Sequence, residues 1–319
     1  MRAVQIVRLD GPGSVEVRDV AVPEPADDEV LVRVRAAGVG FPEVLMSRGA
    51  YQRQPDLPFT PGAEIAGEVV AAPAGSGLVP GDRVAAVCLL GGFAEYAVAP
   101  VDRTVALPDG VSFAEGAAFA FNYGTAYFAL LERGRLEPGE AVLVHGAAGG
   151  LGTAVIQTAK AFGAGRVVAV TSTDEKGALA LRAGADDYVL ADGFKDAVVR
   201  GGEVDLVIDP VGGDRFTDSL RCLRPDGRLV VVGFAAGDIP TVRVNRLLLR
   251  NVSVVGAAWV GYAFGRPGHV ARDLHALLPH LARGALRPVV GAEYALADAG
   301  RALTDLAERR ARGKVVLRP

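Results

Sequence analysis

Ala141-Val142-Leu143-Val144-His145-Gly146-Ala147-Ala148-Gly149-Gly150-Leu151-Gly152 is the stretch on which the fold turns. The apolar run at its start reads as a buried strand, the small residues as a tight turn, and Thr153 to Phe162 as a helix. A dinucleotide-binding turn needs this context. Small residues let the main chain approach a pyrophosphate, and amides at the helix start meet its charge. In the G-x-G-x-x-G template Ala147 stands at the first glycine, Gly149 and Gly152 at the second and third. A tight turn that binds nothing has the same local look, so the flanking pattern has to separate the two.

Downstream, Val167 to Val170, Leu206 to Ile208 and Leu229 to Val232 read as strands, with Lys176 to Ala183 and Phe216 to Leu223 as helices between them. Such alternation predicts a doubly wound parallel sheet with helices on both faces. Upstream the grammar differs. Val15 to Val22, Val30 to Ala36, Glu68 to Ala72, Asp82 to Leu90 and Phe93 to Ala99 carry strand chemistry, punctuated by Pro80-Gly81-Asp82 and Gly91-Gly92. The change comes near Ser112, where Ala and aromatic residues repeat at helical spacing from Ala114 to Leu131. Beyond Val252 to Val255, Ala285 to Tyr294 and Lys314 to Leu317 read as strands that rejoin the first domain.

A chain of 319 residues, 50% of them hydrophobic, is expected to form two domains. A net charge of -3, from 34 basic and 37 acidic residues, offers no field for nucleic acid or an anionic membrane. No apolar run approaches the roughly 18 residues of a membrane span, and Met1 to Asp10 lacks a signal-peptide core, so the cytoplasm is the expected location. Cys88 and Cys222 sit in apolar surroundings and read as buried thiols. The four histidines, His145, His269, His275 and His280, have no zinc-ligand spacing. With Pro279 between them, His275 and His280 are not expected to share a helix face, and surface or capping roles suit them better.

The nicotinamide is chosen at the end of the second strand, about twenty residues past the glycine turn, where an acid selects NAD. Here Thr171-Ser172-Thr173 precede Asp174, Glu175 and Lys176. Hydroxyls and a lysine suit the 2′-phosphate of NADPH, while Asp174 and Glu175 leave open both NAD and an ordinary helix start.

These segments, with Gly62-Ala63-Glu64-Ile65-Ala66-Gly67, Gly81-Asp82-Arg83-Val84, Gly92-Phe93-Ala94-Glu95-Tyr96, Gly124-Thr125-Ala126-Tyr127, Asp205 to Gly213, Gly227 to Gly233 and Gly313-Lys314-Val315-Val316, resemble the zinc-independent quinone oxidoreductase branch of the medium-chain dehydrogenase/reductase superfamily. The resemblance implies an α/β chain in which a Rossmann doubly wound parallel sheet, residues 121-256, is inserted in a GroES-like β-rich catalytic domain, residues 1-120 plus 257-319. It places Thr125 against the nicotinamide and Gly149, Gly150, Leu151 and Gly152 on the pyrophosphate. Ser172, Lys176 and Arg309, with Thr171 beside them, fall around the 2′-phosphate, and Val211, Gly212, Gly233, Phe234 and Ala235 along the cofactor channel. Phe41, Tyr51, Asn122, Tyr123 and Trp259 would line the substrate cleft, with plain aromatic packing as the alternative.

Zinc-dependent relatives carry a Cys, a Gly-His-Glu segment and a further Cys or Asp where this chain has Gly40-Phe41, Ala63 and Asn122-Tyr123-Gly124, and the four-cysteine lobe is missing. The resemblance thus implies metal-free hydride transfer from NADPH to a quinone or other conjugated carbonyl, with Tyr51 or Tyr123 to donate a proton. Gly40 replaces an asparagine common among relatives, which implies a wider cleft. The strand Asn251 to Gly256 is expected to pair two copies into a homodimer. An enoyl-thioester reductase uses the same scaffold, and a non-catalytic NADPH-binding sensor or structural protein is the alternative of another class.

Overall fold

Inward-facing valines at every second position hold the N-terminal segments in strands. The computed structural model describes residues 1–319. It opens with β1 (Arg2–Ile6), β2 (Val15–Asp19) and the long β3 (Glu29–Val39), whose Val30, Val32 and Val34 are buried. Then come α1 (Phe41–Ser47), β4 (Glu64–Ala71), β5 (Arg83–Val87), β6 (Tyr96–Pro100), β7 (Thr104–Ala106) and α2 (Phe113–Tyr127), which passes into a π-helical turn at Phe128–Arg133. Alternation follows: β8 (Ala141–Val144), α3 (Gly150–Ala161), β9 (Arg166–Thr171), α4 (Asp174–Arg182), β10 (Asp187–Leu190), α5 (Phe194–Arg200), β11 (Val204–Asp209), α6 (Arg215–Arg221), β12 (Leu223–Val231), α7 (Asn245–Arg250), β13 (Ser253–Gly256) and α8 (Trp259–Ala263). The chain closes with α9 (His269–Ala282), β14 (Val290–Ala295), α10 (Ala299–Ala307) and β15 (Lys314–Arg318). No helix is long and apolar enough to cross a membrane.

Internal contacts divide these elements into a β-rich unit, Met1–Asn122, Pro267–Ala282 and Pro288–Pro319, and a parallel-sheet unit, Tyr123–Arg266 and Arg283–Arg287. The second unit therefore extends past residue 256, where the sequence pattern puts its boundary, and takes in α8. In the β-rich unit the strand order is β14-β15-β3-β4-β5-β7, with β6 also on β3. Every pair in it is antiparallel except β14 with β15. Its core joins Val32, Ile65, Val84 and Phe93 to Leu303 of α10 and Leu317 of β15.

The parallel-sheet unit has the Rossmann order β10-β9-β8-β11-β12-β13, all pairs parallel. Leu143, Val168, Val207 and Leu229 pack there against Phe194, Phe216 and Leu220 of the covering helices. Strand order reverses between β8 and β11, and the crevice beyond their carboxyl ends is where such sheets bind ligands.

Several elements go beyond the sequence reading, among them α1, β10, α5, α7, α9 and α10. α9 runs unbroken through Pro279. A proline removes one helical hydrogen bond, but buried Val270, Leu274, Leu277 and Leu281 anchor the helix on either side. His275 and His280 thus share one helix, on different sides of it at five-residue spacing.

Candidate functional site

The glycine-rich stretch follows directly from its neighbours. Val142, Leu143 and Val144 are fully buried. The His145 amide continues the ladder to the Ile208 carbonyl at 3.0 Å, and the chain then turns at Gly146, whose φ is 60°. The left-handed residue is thus Gly146, one position before the template glycine held by Ala147. Helix α3 starts at Gly150, so Gly150, Leu151 and Gly152 form its first turn, with no acidic residue in it. Amides of a first helical turn have no partner inside the helix and face an anion favourably. A Cβ on Gly152 would lie 2.2 Å from the Gly146 carbonyl oxygen, so the turn lies flat on the helix start only because Gly152 has none. The cradle fits a pyrophosphate.

At the end of β9, Thr173 caps α4 by accepting the Lys176 amide at 3.3 Å, and the Lys176 ammonium donates to Ser172 Oγ at 3.2 Å. Thr171 is buried and donates to the Thr173 carbonyl. Asp174, which the sequence left open as a ribose ligand, accepts the Tyr188 hydroxyl at 3.0 Å and is thereby turned toward β10. What remains at the corner is a hydroxyl and an ammonium together, the chemistry that suits a phosphate. Arg309 lies in the β-rich unit, on a left-handed turn after α10 whose amide is bonded to the Leu306 carbonyl.

The loops after β11 and β12 bring the expected channel residues side by side. Asp209 Oδ1 accepts the amides of Val211 (2.8 Å) and Gly212 (2.9 Å), and Ala235 donates to the Pro210 carbonyl at 3.1 Å. Gly233 and Phe234 complete the run, and the half-exposed Phe234 ring lies over Gly212. Asp209 was missed in the sequence, although an Asp two and three residues before exposed amides is a readable loop cap.

His145 is fully buried, with Nε2 2.8 Å from Ser219 Oγ and its ring edge-on to Phe194. Ser219 donates to the Arg215 carbonyl, which assigns the imidazole proton to Nε2. Burial, aided by Arg215 and opposed by Asp209, pushes the imidazole down to about 4. A folded pKa below the unfolded one means the unfolded chain takes up the proton first as pH falls. Stability from this group is therefore complete above about pH 6.5 and drains away toward pH 4, by about 2 kcal/mol between pH 7 and pH 5. Urea midpoints should show that acid limb flattened in His145→Gln; an unchanged slope would contradict it.

The residues expected at the substrate cleft are divided between the two units. In the β-rich unit, Phe41 opens α1 half-buried, Tyr51 rests half-buried on Ile6, Met46 and Phe59, and Asn122 lies near the end of α2. Burial, and then the nearby Glu43, push the Tyr51 hydroxyl up. In the parallel-sheet unit Tyr123 is fully buried and donates to Gln157 Oε1 at 2.7 Å, while the same Gln157 holds the backbone of Arg287 through both its amide and carbonyl. Trp259 packs over Gly124, where a Cβ would lie 2.4 Å from its ring, and edge-on to Phe264. The Tyr123 and Trp259 side chains are both packed inside the parallel-sheet unit. Thr125 is buried one turn of α2 beyond Phe121.

The positions that would carry zinc ligands do not fit the metal. Gly40 and Ala63 have no donor side chain, and their amides are both bound by Glu43. Glu64 is filled by the Phe121 amide and the Lys314 ammonium. The Cys88 thiol is pushed up to about 12 by burial and donates to the Gly62 carbonyl, whereas zinc requires a thiolate.

Residues 26–109 match the family model described as alcohol dehydrogenase GroES-like domain, and residues 150–278 the one described as zinc-binding dehydrogenase. Over 99% of its length the chain is 38% identical to quinone oxidoreductase-like protein 2 of Rattus norvegicus, spanning 91% of that protein. Among solved structures, a probable oxidoreductase from Mycobacterium abscessus matches with a TM-score of 0.91 at 40% identity, covering 100% of this chain and 99% of that one. The quinone oxidoreductase from Thermus thermophilus, solved also as its complex with NADPH, matches with a TM-score of 0.88 at 39% identity over 100% of both chains. The architecture is that of a GroES-like domain and a Rossmann-like domain.

Proposed function

Because the chain belongs to the quinone oxidoreductases of the medium-chain dehydrogenase/reductase superfamily, we propose that it passes a hydride from NADPH to a quinone or other conjugated carbonyl, without zinc. The observation that carries the reading is the Ser172–Lys176 corner next to a glycine-lined helix start. NADPH supplies the hydride when bound, and such chemistry asks the protein mainly for alignment and exclusion of water. Gly149 through Gly152 hold the pyrophosphate on the first turn of α3. Ser172 and Lys176 hold the 2′-phosphate, with Thr171 fixing the strand end beneath them. Thr125, Val211, Gly212, Gly233, Phe234 and Ala235 line the nicotinamide.

Phe41, Tyr51 and Asn122 face the acceptor. A Tyr51 hydroxyl held above its ordinary range keeps its proton at neutral pH and has it to give to the reduced acceptor's oxygen. A conjugated acceptor spreads incoming charge over its own π-system, whereas alcohol oxidation on this scaffold uses a metal to lower the alcohol's pKa. The test is NADPH oxidation with benzoquinone, fused-ring quinones, enones, enoyl thioesters and alcohols, before and after exhaustive chelation. Quinones and enones are expected to react, undiminished by the chelator. Turnover of enoyl thioesters alone would favour the thioester reductase, tight NADPH binding without any turnover the sensor, and loss on chelation would overturn zinc independence.

The homodimer belongs to the same proposal. β13 ends the parallel sheet with an open edge, and on the neighbouring α7 Leu248 is 75% and Leu249 77% exposed. Covering a leucine gains about 1.5–3 kcal/mol, so two such residues per protomer supply a large part of a dimer contact. Leu248→Asp with Leu249→Asp should therefore sediment as a monomer at micromolar concentration where the wild type is a dimer; a dimeric double variant would remove α7 from the interface.

A further inference from the structure

The β-rich unit gathers three buried charges in one place. Glu43 and Glu64 are each 1% exposed and Lys314 is 4% exposed. Glu43, on α1, accepts the Gly40 amide at 2.9 Å with one oxygen and the Ala63 amide at 3.0 Å with the other. Glu64, at the start of β4, accepts the Phe121 amide of α2 at 2.9 Å, and its second oxygen takes the ammonium of Lys314 at the start of β15. Burial pushes the Glu43 carboxyl up, and Lys314 pulls it back against the like charge of Glu64, so one ammonium serves both carboxylates.

The packing around the cluster leaves no slack. A Cβ on Gly38 of β3 would stand 2.3 Å from the Ala117 carbonyl of α2, 2.7 Å from Lys314 Cε and 2.8 Å from Glu64 Cγ. At Gly38, β3 therefore lies directly on the backbone of α2 and on the side chains of Lys314 and Glu64. What the two carboxylates grip is backbone: the amide next to Phe41 on one side and the amide next to Asn122 on the other. Phe41 and Asn122 are two of the three residues that face the acceptor in the proposed reaction.

We propose that Glu43, Glu64 and Lys314 are positioning residues for the acceptor, a buried carboxylate–ammonium–carboxylate cluster that fixes the Gly40–Phe41 turn against the Phe121–Asn122 stretch of α2. The inference rests on the reading of Phe41 and Asn122 as acceptor contacts. A buried charge that loses its partner forces its surroundings to move, whereas removing both charges together is far better tolerated. Misplacement of contact groups by about 1 Å is enough to change turnover by orders of magnitude.

The test uses the full chain with Lys314→Met, Glu43→Gln and the double variant Lys314→Met/Glu64→Gln. Acceptor KM is measured with benzoquinone at saturating NADPH, and NADPH Kd by direct titration of nucleotide fluorescence. Lys314→Met should raise acceptor KM by about tenfold or more, with NADPH Kd held within about twofold because the glycine turn and the Ser172–Lys176 corner belong to the other unit. Glu43→Gln should do the same, since its side-chain NH2 then faces one of the two backbone amides. The double variant leaves Glu43 as the one charge, held by the Gly40 and Ala63 amides, and should bring acceptor KM at least about threefold back from its Lys314→Met value, its amide oxygen still accepting from Phe121. A role in folding alone would lower the active fraction and leave KM untouched. Wild-type acceptor KM in Lys314→Met, or an equal loss of NADPH affinity, overturns the inference. Where Lys314→Met does not fold, Glu43→Gln decides it on the same KM criterion. A wild type that reduces no quinone removes the premise and takes down the functional reading itself.

Discussion

Gly152→Ala should weaken NADPH binding by at least about 100-fold, or about 2.7 kcal/mol. The added Cβ would sit 2.2 Å from the Gly146 carbonyl oxygen, 2.6 Å from Ala147 Cα and 2.7 Å from its carbonyl carbon. All three are backbone atoms, which cannot swing aside as a side chain would. The turn has to lift from α3, and the first-turn amides then no longer converge where the pyrophosphate would lie. Gly149→Ala is the control. Its φ of -83° is ordinary for any residue and its Cβ would meet only the Gly146 oxygen, at 3.3 Å. That variant should keep the wild-type melting temperature and lose affinity only through its methyl group's intrusion on the ligand. Titration of nucleotide fluorescence checks both, and a Gly152→Ala protein with wild-type affinity would mean that this turn does not hold the cofactor.

Lys176→Ala should discriminate between the two nicotinamides. The Lys176 ammonium points to Ser172 Oγ at 3.2 Å, and Asp174 is occupied by Tyr188. Losing a hydrogen bond to a charged group costs about 1.5–3 kcal/mol, roughly 10- to 150-fold in affinity. NADPH should lose that much and NADH almost nothing, since NADH has only a hydroxyl at this corner. Raising the salt concentration should erode the wild-type preference as well, because the corner is open to solvent. Equal loss for both cofactors, or a wild type that prefers NADH, would refute the assignment.

Legibility in the sequence followed the distance over which each feature is made. The glycine turn and the Thr171 to Lys176 corner are local, and residue type at fixed spacing was enough to place them, whereas Val211 and Gly212 came from the family resemblance and Asp209 was missed. β10 was not visible because its four residues are half-exposed or exposed, and the apolar alternation of a strand is missing. α7 hid for the opposite reason: of its three leucines Leu247 packs on the core while Leu248 and Leu249 face outward, so six residues give no amphipathic period. α9 was obscured by Pro279, a local signal overruled by apolar anchoring on both sides of it. Tyr123 read as a possible proton donor because its partner Gln157 lies 34 residues on. The Glu64–Lys314 pair spans 250 residues, and no pattern within a window could have joined them.

That span also orders events in time as the chain is made. β15 lies between β14 and β3, in the interior of its sheet rather than at a rim. Until residues 314–318 have left the ribosome, Ala37, Gly38 and Val39 of β3 lack their partner strand, Glu64 lacks its counter-ion, and the sheet has a gap where β15 belongs. The parallel sheet draws all six of its strands from residues 141–256 and can assemble while synthesis continues. On the proposed reading, the nucleotide side of the reaction therefore forms before the acceptor side, which waits for the last strand of its sheet.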